Sequence, residues 1–414
     1  EYVQHHVPQA YAGMRELLWD YVNAGGTICV VSHSLSPNIL RDYRENGLPE
    51  PKLVYGWEVP KERRKPQPYA LFDIMEKLHF AKGRMILPLT GSSYELGKMK
   101  EAIDLIEDTQ LAEIACAEAC YFTADAKGCV EHVKKYLASD DVMLRLSADM
   151  LYVFANLTLG NAGKAQAARI DVKQCLQKAL EEDACTGIKS SCIFAYYLIN
   201  IFLHIETEKE MPALESCISD LPTGQRLFAI SILAHGMYLK KEYLKAQGVV
   251  QTAMLMADAV YPIPFIYLNC IAAMCQINQK EQEEAISSVK KAISFAGKDG
   301  LFEPFIEYHG LLQGVLEVCL RKSEPETYKK LVDGIIAFSR GWMKIHNSQM
   351  NRDVTDLLTP LEFSIAMLAC RDWTNQEIAQ HMGLSVNTVK HYVSDILEKL
   401  QIDKREKIKD FVNQ

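Results

Sequence analysis

The chain has 414 residues, of which 49% are hydrophobic and 24% are charged. This length suffices for about two to four domains, and the composition is typical of a chain that buries large cores. The formal net charge of −8 gives no overall attraction to nucleic acid, so any DNA contact must come from a local surface. No apolar run reaches the ~20 residues of a membrane span. No signal peptide opens the chain, so we expect a cytoplasmic protein without a membrane partner. Because the sequence starts at Glu1 without a methionine, we also expect a missing segment upstream.

Twelve cysteines are scattered along the chain, mostly in apolar helical stretches. They form no Cys-x-x-Cys pair and no Cys/His cluster with the spacing of a zinc site. Cys116 and Cys120 lie one helical turn apart, but no third ligand is near them in sequence. We therefore expect free, buried thiols, no metal site and no cofactor. Residues 160–165 are similar to a phosphate loop, but Thr158 and Ala165 replace the glycine and the Ser/Thr that such a loop needs.

Residues 1–82 predict a small α/β segment. Apolar, β-branched runs typical of buried strands alternate there with helical patterns, which favours parallel strands. The predicted elements are, in chain order, a helix over 11–23, a strand over 27–31, a helix over 37–45, a strand over 52–55 and a helix over 68–78.

Three stretches of this segment resemble part of a haloacid-dehalogenase-type hydrolase. They are Ala12-Gly13-Met14-Arg15-Glu16-Leu17-Leu18, Val30-Val31-Ser32-His33-Ser34 and Lys65-Pro66-Gln67-Pro68-Tyr69. The resemblance implies that Ser32 holds a phosphoryl oxygen and that Lys65 neutralises the nucleophile and the phosphate. Phosphoryl transfer in that family also needs an Asp-x-Asp element with bound magnesium, and this chain has no Asp-x-Asp.

The later acidic loop of such hydrolases is also incomplete. It should read Gly-Asp-x-x-x-Asp, and at the expected distance stands Gly91-Ser92-Ser93-Tyr94-Glu95. Without the first carboxylate, magnesium binds poorly. We therefore assign no catalytic residue and expect no enzyme. A phosphatase acting through Ser32 and Lys65, or the remnant of one joined to the rest of the chain, is the alternative.

From residue 83 to residue 345 strand patterns disappear and amphipathic helical segments follow one another. Four sets of small and apolar residues with identical internal spacing recur at offsets of 39, 78 and 39 residues: Cys129-Val133-Tyr136, Ala168-Val172-Cys175, Ala246-Val250-Ala253 and Ala285-Val289-Ala292. Two helices and two turns fill about 40 residues, so this period predicts a stacked helix-hairpin array. The set expected near residue 207 is missing, and Ala213 and Cys217 are its nearest substitutes.

The stretch from Asp299 to Glu307 contains a glycine-hydrophobic-x-x-Pro-Phe element, Gly300 to Phe305. With it, residues 83–345 resemble the tetratricopeptide-like arrays of large LuxR-type regulators. The resemblance implies that the array binds a small-molecule effector or a partner protein. A helical spacer without a ligand is an equal alternative. Polar residues interrupt the apolar pattern over 342–353 and predict a linker.

Local chemistry predicts three helices in residues 354–414. Thr359-Pro360 starts the first helix, because proline at the first helical position loses no hydrogen bond. Thr374 and Glu377 can form a capping box that starts the second, and Gly383 is a natural left-handed stop. Ser385 then caps a third helix that runs to about Leu400.

The third helix is predicted to have two different faces. One is an apolar stripe suited to pack on the first two helices, formed by Val389, Val393, Ile396, Leu397 and Leu400. The other carries hydrogen-bonding side chains, those of Asn387, Lys390, His391 and Ser394. A short turn followed by a helix with a polar face is typical of a helix-turn-helix, whose second helix enters the major groove of DNA.

Residues that span nearly the whole segment resemble the LuxR/GerE-type domain. They are Leu358-Thr359-Pro360, Glu362, Asn375, Glu377-Ile378-Ala379, Leu384-Ser385, Asn387-Thr388-Val389-Lys390, His391, Ile396, Lys399-Leu400 and Arg405. The resemblance implies that Thr388 and Lys390 contact phosphates or base edges. It also implies that Asn387, His391 and Ser394 lie along the groove and that Val386 touches base edges or methyl groups. Thr374, Lys399 and Arg405 complete the candidate DNA-binding set. A fourth helix over 405–412 resembles the dimer-forming helix of the family.

The segment 356–414 has 7 Lys and Arg against 9 Asp and Glu, whereas DNA-binding domains are usually basic. We therefore expect weak non-specific binding that depends on dimer formation or on RNA polymerase. The fold class predicted is mostly α: a stacked helix-hairpin array, a C-terminal helix-turn-helix and a small α/β segment. The function predicted is a transcriptional regulator that binds double-stranded DNA as a dimer. A helical scaffold for protein interactions is the remaining alternative.

Overall fold

The computed structural model describes residues 7–64, 69–70, 73–74, 86–182, 184–346 and 357–409. The chain divides into two compact units, Glu1–Gly83 and Arg84–Gln414. Helices dominate the described residues, and the strands there are one short pair in the first unit. This confirms the mostly α fold class expected from the sequence.

The first unit has the predicted alternation of helices and strands. Its elements are α1 (Met14–Asn23), β1 (Cys29–Val31), α2 (Ser36–Glu45) and β2 (Leu53–Tyr55). The strands pair in parallel, with Cys29 opposite Leu53 and Val31 opposite Tyr55, which confirms the parallel arrangement. α1 starts later than predicted because Gly13, with φ of 82°, precedes its first turn.

Of the two residues that the hydrolase resemblance singles out, Ser32 lies in the described part of the structure and Lys65 does not. The Oγ of Ser32 lies just after β1 and accepts a hydrogen bond from the backbone N–H of Ser34 at 3.1 Å. Lys65 and most of the helix predicted over 68–78 lie outside the described residues. The resemblance to a hydrolase therefore stays a prediction.

The second unit begins with a series of helices and short 3-10 turns. The helices are α3 (Met99–Asp104), α4 (Thr109–Phe122), α5 (Ala126–Val133), α6 (Val142–Thr158), α7 (Ala162–Glu181), α8 (Thr186–Phe202), α9 (Thr223–Leu239), α10 (Tyr243–Met256), α11 (Pro262–Asn278), α12 (Gln282–Ala296), α13 (Glu303–Glu307), α14 (His309–Leu312), α15 (Val315–Leu320) and α16 (Pro325–His346). We call α3 to α16 the helical array.

The predicted repeat sets lie on the second helices of four pairs, namely α5, α7, α10 and α12, with Tyr136 just past the end of α5. Every residue of those sets is at most 8% exposed. The turn that follows the first helix of each pair contains a left-handed residue, as does the turn after α8: Ala124, Gly160, His204, Lys241 and Lys280, with φ between 51° and 72°. The recurring turn supports the stacked helix pairs that the period predicted.

The set missing near residue 207 has a structural counterpart. After α8 the chain forms no second α-helix but two 3-10 turns, Leu214–Ser216 and Ile218–Asp220. Cys217, one of the two substitutes named from the sequence, is buried between these turns with 2% exposure. The third repeat therefore keeps its buried position while losing its regular helix.

Residues 86–91, which include Gly91 of the incomplete acidic loop, belong to the second unit. The backbone N–H groups of Leu89 and Thr90 donate to the buried carboxylate of Glu118 at 2.8 and 2.9 Å. Burial raises the pKa of Glu118 to about 7. The carbonyl of Gly91 packs so closely on Gly224 that a Cβ there would overlap it.

The predicted linker is shorter than expected at its start. α16 continues to His346, and the Nε1–H of Trp342 donates to the carbonyl of Phe202 at 3.2 Å. Residues 342–346 are therefore helical and packed, and residues 347–353 lie outside the described residues. The C-terminal elements are α17 (Pro360–Ala369), α18 (Asn375–Met382), α19 (Val386–Lys399) and a 3-10 turn, Arg405–Ile408.

None of the twelve cysteines forms a disulfide, and seven of them are buried, as the sequence predicted. The expectation of burial is wrong for Cys185, which is exposed, and for Cys29, Cys116, Cys120 and Cys370, which are half-buried. Among the residues that the structure describes, no helix is long and apolar enough to cross a membrane.

Two glycines inside helices of the array should respond oppositely to alanine. A Cβ at Gly341 of α16 would overlap the backbone of Leu157, whereas a Cβ at Gly248 of α10 meets nothing within 4 Å. We expect Gly341→Ala to lower the free energy of unfolding by about 1–3 kcal/mol through overpacking. We expect Gly248→Ala to raise it by about 0.5–1 kcal/mol through higher helix propensity. Urea unfolding measures both, and a stabilised Gly341→Ala variant contradicts the close packing of α6 and α16.

Candidate nucleic-acid interface

Local capping chemistry fixes the ends of the three C-terminal helices. Thr374 and Glu377 form the predicted capping box: the N–H of Thr374 donates to Glu377 Oε2 at 2.7 Å, and the N–H of Glu377 donates to Thr374 Oγ1 at 3.2 Å. Gly383 ends α18 with φ of 61°. Ser385 Oγ accepts from the N–H of Thr388 at 3.0 Å and caps α19. These contacts confirm the helix boundaries that the sequence predicted.

A second capping box was not predicted. It lies at the start of α17, where Thr359 and Glu362 exchange the same two hydrogen bonds, at 2.8 and 3.3 Å. The sequence analysis used only Pro360 to place the start of this helix. The Thr-x-x-Glu pattern of Thr359 and Glu362 would also have predicted the capping box.

α19 presents its polar face outward. The apolar stripe packs inward, since Val389 and Ile396 are fully buried and Val393 is 8% exposed. The side chains on the opposite face are exposed: Asn387, Lys390, His391 and Ser394. Val386, the first residue of the helix, is 38% exposed, and Thr388 is half-buried. The structure therefore brings six of the nine candidate residues to the exposed first part of one helix.

The other three candidate residues have partners inside the domain. Thr374 is engaged in its capping box. Lys399 Nζ lies 2.7 Å from both carboxylate oxygens of Glu362, and so ties the end of α19 to the start of α17. Arg405 donates to Asn375 Oδ1 at 2.6 Å and to the carbonyl of Trp373.

The helix predicted over 405–412 is a 3-10 turn where the structure describes it. Arg405–Ile408 forms this turn, and the side chain of Ile408 is fully buried. Residues 410–412 lie outside the described residues. The dimer-forming role of this part stays a prediction.

The array packs directly on α17 and α18. His381 of α18 is 4% exposed, and its Nε2 lies 3.1 Å from the carbonyl of Gln313. Burial lowers the pKa of His381, so the ring is neutral and donates there. Gly314 approaches Met382 so closely that a Cβ would overlap its sulfur.

A buried carboxylate joins the array to α17. Glu317 is 3% exposed, and its Oε1 lies 2.7 Å from His309 Nε2 and 3.1 Å from the hydroxyl of Ser364. The phenol of Tyr328 donates to the same oxygen at 3.2 Å. Burial raises the pKa of Glu317, but His309 and the donated hydrogen bonds outweigh burial and hold this pKa below its usual range.

Two lysines of the array reach the ends of α18, and sequence reasoning missed both. Lys280 Nζ lies 3.2 Å from Glu377 Oε1 at the start of α18. Lys322 Nζ lies 3.5 Å from the carbonyl of Gly383 at its end. The partners are 97 and 61 residues apart in sequence, so no local pattern could have indicated them.

Among the residues that the structure describes, no group of His, Cys, Asp and Glu side chains could hold a metal ion.

Comparisons with known proteins agree with this geometry. Residues 356–412 match the family described as "Bacterial regulatory proteins, luxR family". Over 135 residues the chain is 30% identical to the response regulator protein VraR of Staphylococcus aureus, in strains Mu3 / ATCC 700698, NCTC 8325 / PS 47 and COL. That match covers 30% of this chain, which spans 63% of the length of these relatives. No solved structure matches the chain significantly. The C-terminal segment is thus a LuxR-type helix-turn-helix domain.

Arg405→Ala should act on stability before it acts on any ligand. We expect it to lower the free energy of unfolding by about 1–3 kcal/mol, because the half-buried carbonyl of Trp373 and the amide of Asn375 lose a charged donor. Urea unfolding of the full chain measures this loss. Arg405→Lys is the control, since it keeps the charge without the planar fork and should recover little stability. If Arg405→Ala is as stable as the wild type, the structural role is wrong and Arg405 is again a candidate for direct DNA contact.

Proposed function

We propose that this protein is a transcriptional regulator that binds double-stranded DNA through α19. The observation that carries the proposal is the outward polar face of α19, braced by α17 and α18 in a LuxR-type domain. In helix-turn-helix proteins the N-terminal part of the second helix contacts base edges in the major groove. Because a DNA-binding role needs access to the genome, we also propose that the protein works in the cytoplasm.

The side chains on that face suit groove contacts. Asn387 can donate and accept, and amides of this kind pair with adenine. Lys390 is a compact charge with three donors, suited to a phosphate or to guanine. Val386 can make apolar contact with a thymine methyl group. Thr388, His391 and Ser394 lie further along the same groove-facing side.

We propose that the protein acts as a dimer on DNA. The C-terminal domain has more acidic than basic residues, so a single copy gains little from non-specific attraction. Two copies on adjacent half-sites add their contacts and raise the overall affinity. RNA polymerase is a further proposed partner, because contact with the transcription machinery supplies affinity that the DNA surface lacks.

We propose that the helical array senses an effector or a partner protein. Support comes from the stacked helix pairs, because arrays of this kind form extended binding surfaces in repeat proteins. Inside the array a cavity of about 20 Å³, with room for about one water, is lined by aliphatic and aromatic side chains and by Glu307. Glu307 accepts hydrogen bonds from the phenols of Tyr121 and Tyr267, and burial raises its pKa to about 7. A ligand or partner that repacks this core acts on helices that continue to the C-terminal domain.

Lys390→Ala tests DNA binding directly. We expect affinity to fall similarly on all duplex sequences, and the slope of log affinity against log salt to become shallower by about 0.9, because one phosphate contact is lost. Fluorescence anisotropy with labelled duplexes at several salt concentrations measures both quantities. Lys127→Ala, at an exposed lysine of α5, is the matched control. An unchanged slope removes Lys390 from the interface, and a wild-type chain that binds no duplex ends the proposed function.

Gly314→Ala tests the coupling between the array and the C-terminal domain. Gly314 has φ of 84° and lies against the end of the Met382 side chain, so alanine costs about 1–2 kcal/mol of backbone strain and forces this side chain of α18 to repack. We expect weaker DNA binding, because α18 braces α19. Gly300→Ala is the control, since its φ is 72° but its Cβ would meet only Thr123, at 3.9 Å. Equal DNA affinity of the two variants contradicts coupling through this contact.

A further inference from the structure

We propose that Lys280 and Lys322 of the helical array contact DNA phosphates, so that the array and the helix-turn-helix form one composite DNA-binding surface. The proposal rests on the proposed function. It assigns a DNA-contacting role to a part of the chain outside the LuxR-type domain, which covers residues 356–412.

The two lysines lie at opposite ends of the helix that precedes the recognition helix. Lys280 Nζ is at the start of α18 and Lys322 Nζ is at its end. α18 has eight residues and is therefore about 12 Å long. In helix-turn-helix complexes the first helix of the motif crosses the DNA backbone. A lysine at each end of that helix is thus placed beside the strand that it crosses.

Both ammonium groups remain available to a phosphate. The side chain of Lys280 is 64% exposed, and Lys322 is also exposed. An ammonium group has three donors. Lys280 uses one of them on Glu377, and the contact of Lys322 with the carbonyl of Gly383 is long, at 3.5 Å. Lys280 also offsets the negative charge of Glu377, which would otherwise repel a phosphate at the start of α18.

Buried contacts fix the segment before Lys322 to the domain, and an exposed ion pair with Glu377 holds Lys280 there. His381 bonds the carbonyl of Gln313, the last residue before Gly314, and Ser364 bonds Glu317. Lys322 follows Glu317 by five residues in the chain. Because the array is already packed on the domain, DNA binding does not have to bring the lysines to α18, and less conformational entropy is lost.

The composite surface adds positive charge beside a C-terminal domain that has more acidic than basic residues. Residues 356–414 contain 7 basic and 9 acidic side chains, a formal balance of 7 − 9 = −2. Lys280 and Lys322 add two positive charges at the ends of α18, whereas Glu281, Glu283, Glu284 and Glu324 lie close to them in sequence. The gain is local, since both charges lie within hydrogen-bonding distance of α18 or the turn after it, where a helix-turn-helix meets the backbone.

The opposite interpretation is an inhibitory contact, in which the array holds the domain away from DNA. It predicts the opposite sign: removing the contact of Lys280 with Glu377 would then strengthen DNA binding. One set of variants therefore separates the two interpretations.

The test measures the affinity of the full chain for a labelled duplex of mixed sequence at several salt concentrations. The variants are Lys280→Gln/Lys322→Gln, the charge-preserving Lys280→Arg/Lys322→Arg, and the control Lys127→Gln/Lys209→Gln at two exposed lysines in the first half of the array. We expect the first variant to bind more weakly, with a salt slope shallower by about 1.8, because two phosphate contacts are lost. The arginine variant should keep the wild-type slope, and the control pair should change neither quantity. Thermal unfolding checks that all variants are folded.

Each other outcome overturns the proposal. If the wild type binds and Lys390→Ala weakens binding, but Lys280→Gln/Lys322→Gln changes nothing, the composite surface is wrong and the proposed function stands. Stronger binding by Lys280→Gln/Lys322→Gln shows an inhibitory contact. An equal effect of the control pair shows a non-local charge effect. If the wild type binds no duplex, the proposed function and this inference both fail.

Discussion

The position of the C-terminal domain on the array depends on the buried carboxylate of Glu317. Its Oε1 receives hydrogen bonds from groups on three other elements, His309, Tyr328 and Ser364. Burying a carboxylate raises the free energy of the folded state unless the charge is paired and hydrogen-bonded. If α17 were placed so that Ser364 moved away, Glu317 would lose one of these hydrogen bonds. Buried polar contacts of this kind add little net stability, but they can select one arrangement among several packings.

Close packing beside Glu317 adds a steric constraint to the electrostatic one. The Cβ that a side chain at Gly310 would add lies 2.9 Å from the ring of Phe363, and one at Gly314 would overlap Met382. Gln313, between them in sequence, also adopts a left-handed conformation, with φ of 50°. A short, tightly turned segment thus contacts both α17 and α18. Movement of this segment changes the support of both helices that brace α19.

The sequence predicted the helix-turn-helix in detail because its signals are local. A capping box acts over three residues, and a left-handed stop acts at one, so Thr374, Glu377, Gly383 and Ser385 could be interpreted without the rest of the chain. The repeat period found the second helices of the array for the same reason. A spacing of about 39 residues is visible in one sequence when the buried positions recur.

The contacts between the array and the C-terminal domain could not be predicted, because they join residues far apart in sequence. His381 has a polar side chain on a short amphipathic helix, and its buried ring is hydrogen-bonded to the carbonyl of Gln313, 68 residues away. The helix over 405–412 was expected from family resemblance, whereas a 3-10 turn forms where Ile408 enters the core. One signal was available: two glycines four residues apart, Gly310 and Gly314, inside a helical pattern indicate close backbone approach.

A chain with a net negative charge can still attract DNA at one surface, because dissolved salt screens the charges that lie further away. The screening length is about 8 Å at physiological ionic strength. Asp395 and Glu398 lie nine and twelve residues after Val386 on α19, which is about 14 and 18 Å along the helix axis. Lys390 is only about 6 Å along from Val386. The acids of α19 are therefore screened from the first turn of the recognition helix, where base contacts are made. The effective field at that turn is set by Lys390 and by whatever charges the neighbouring elements place beside it, and not by the total of −8.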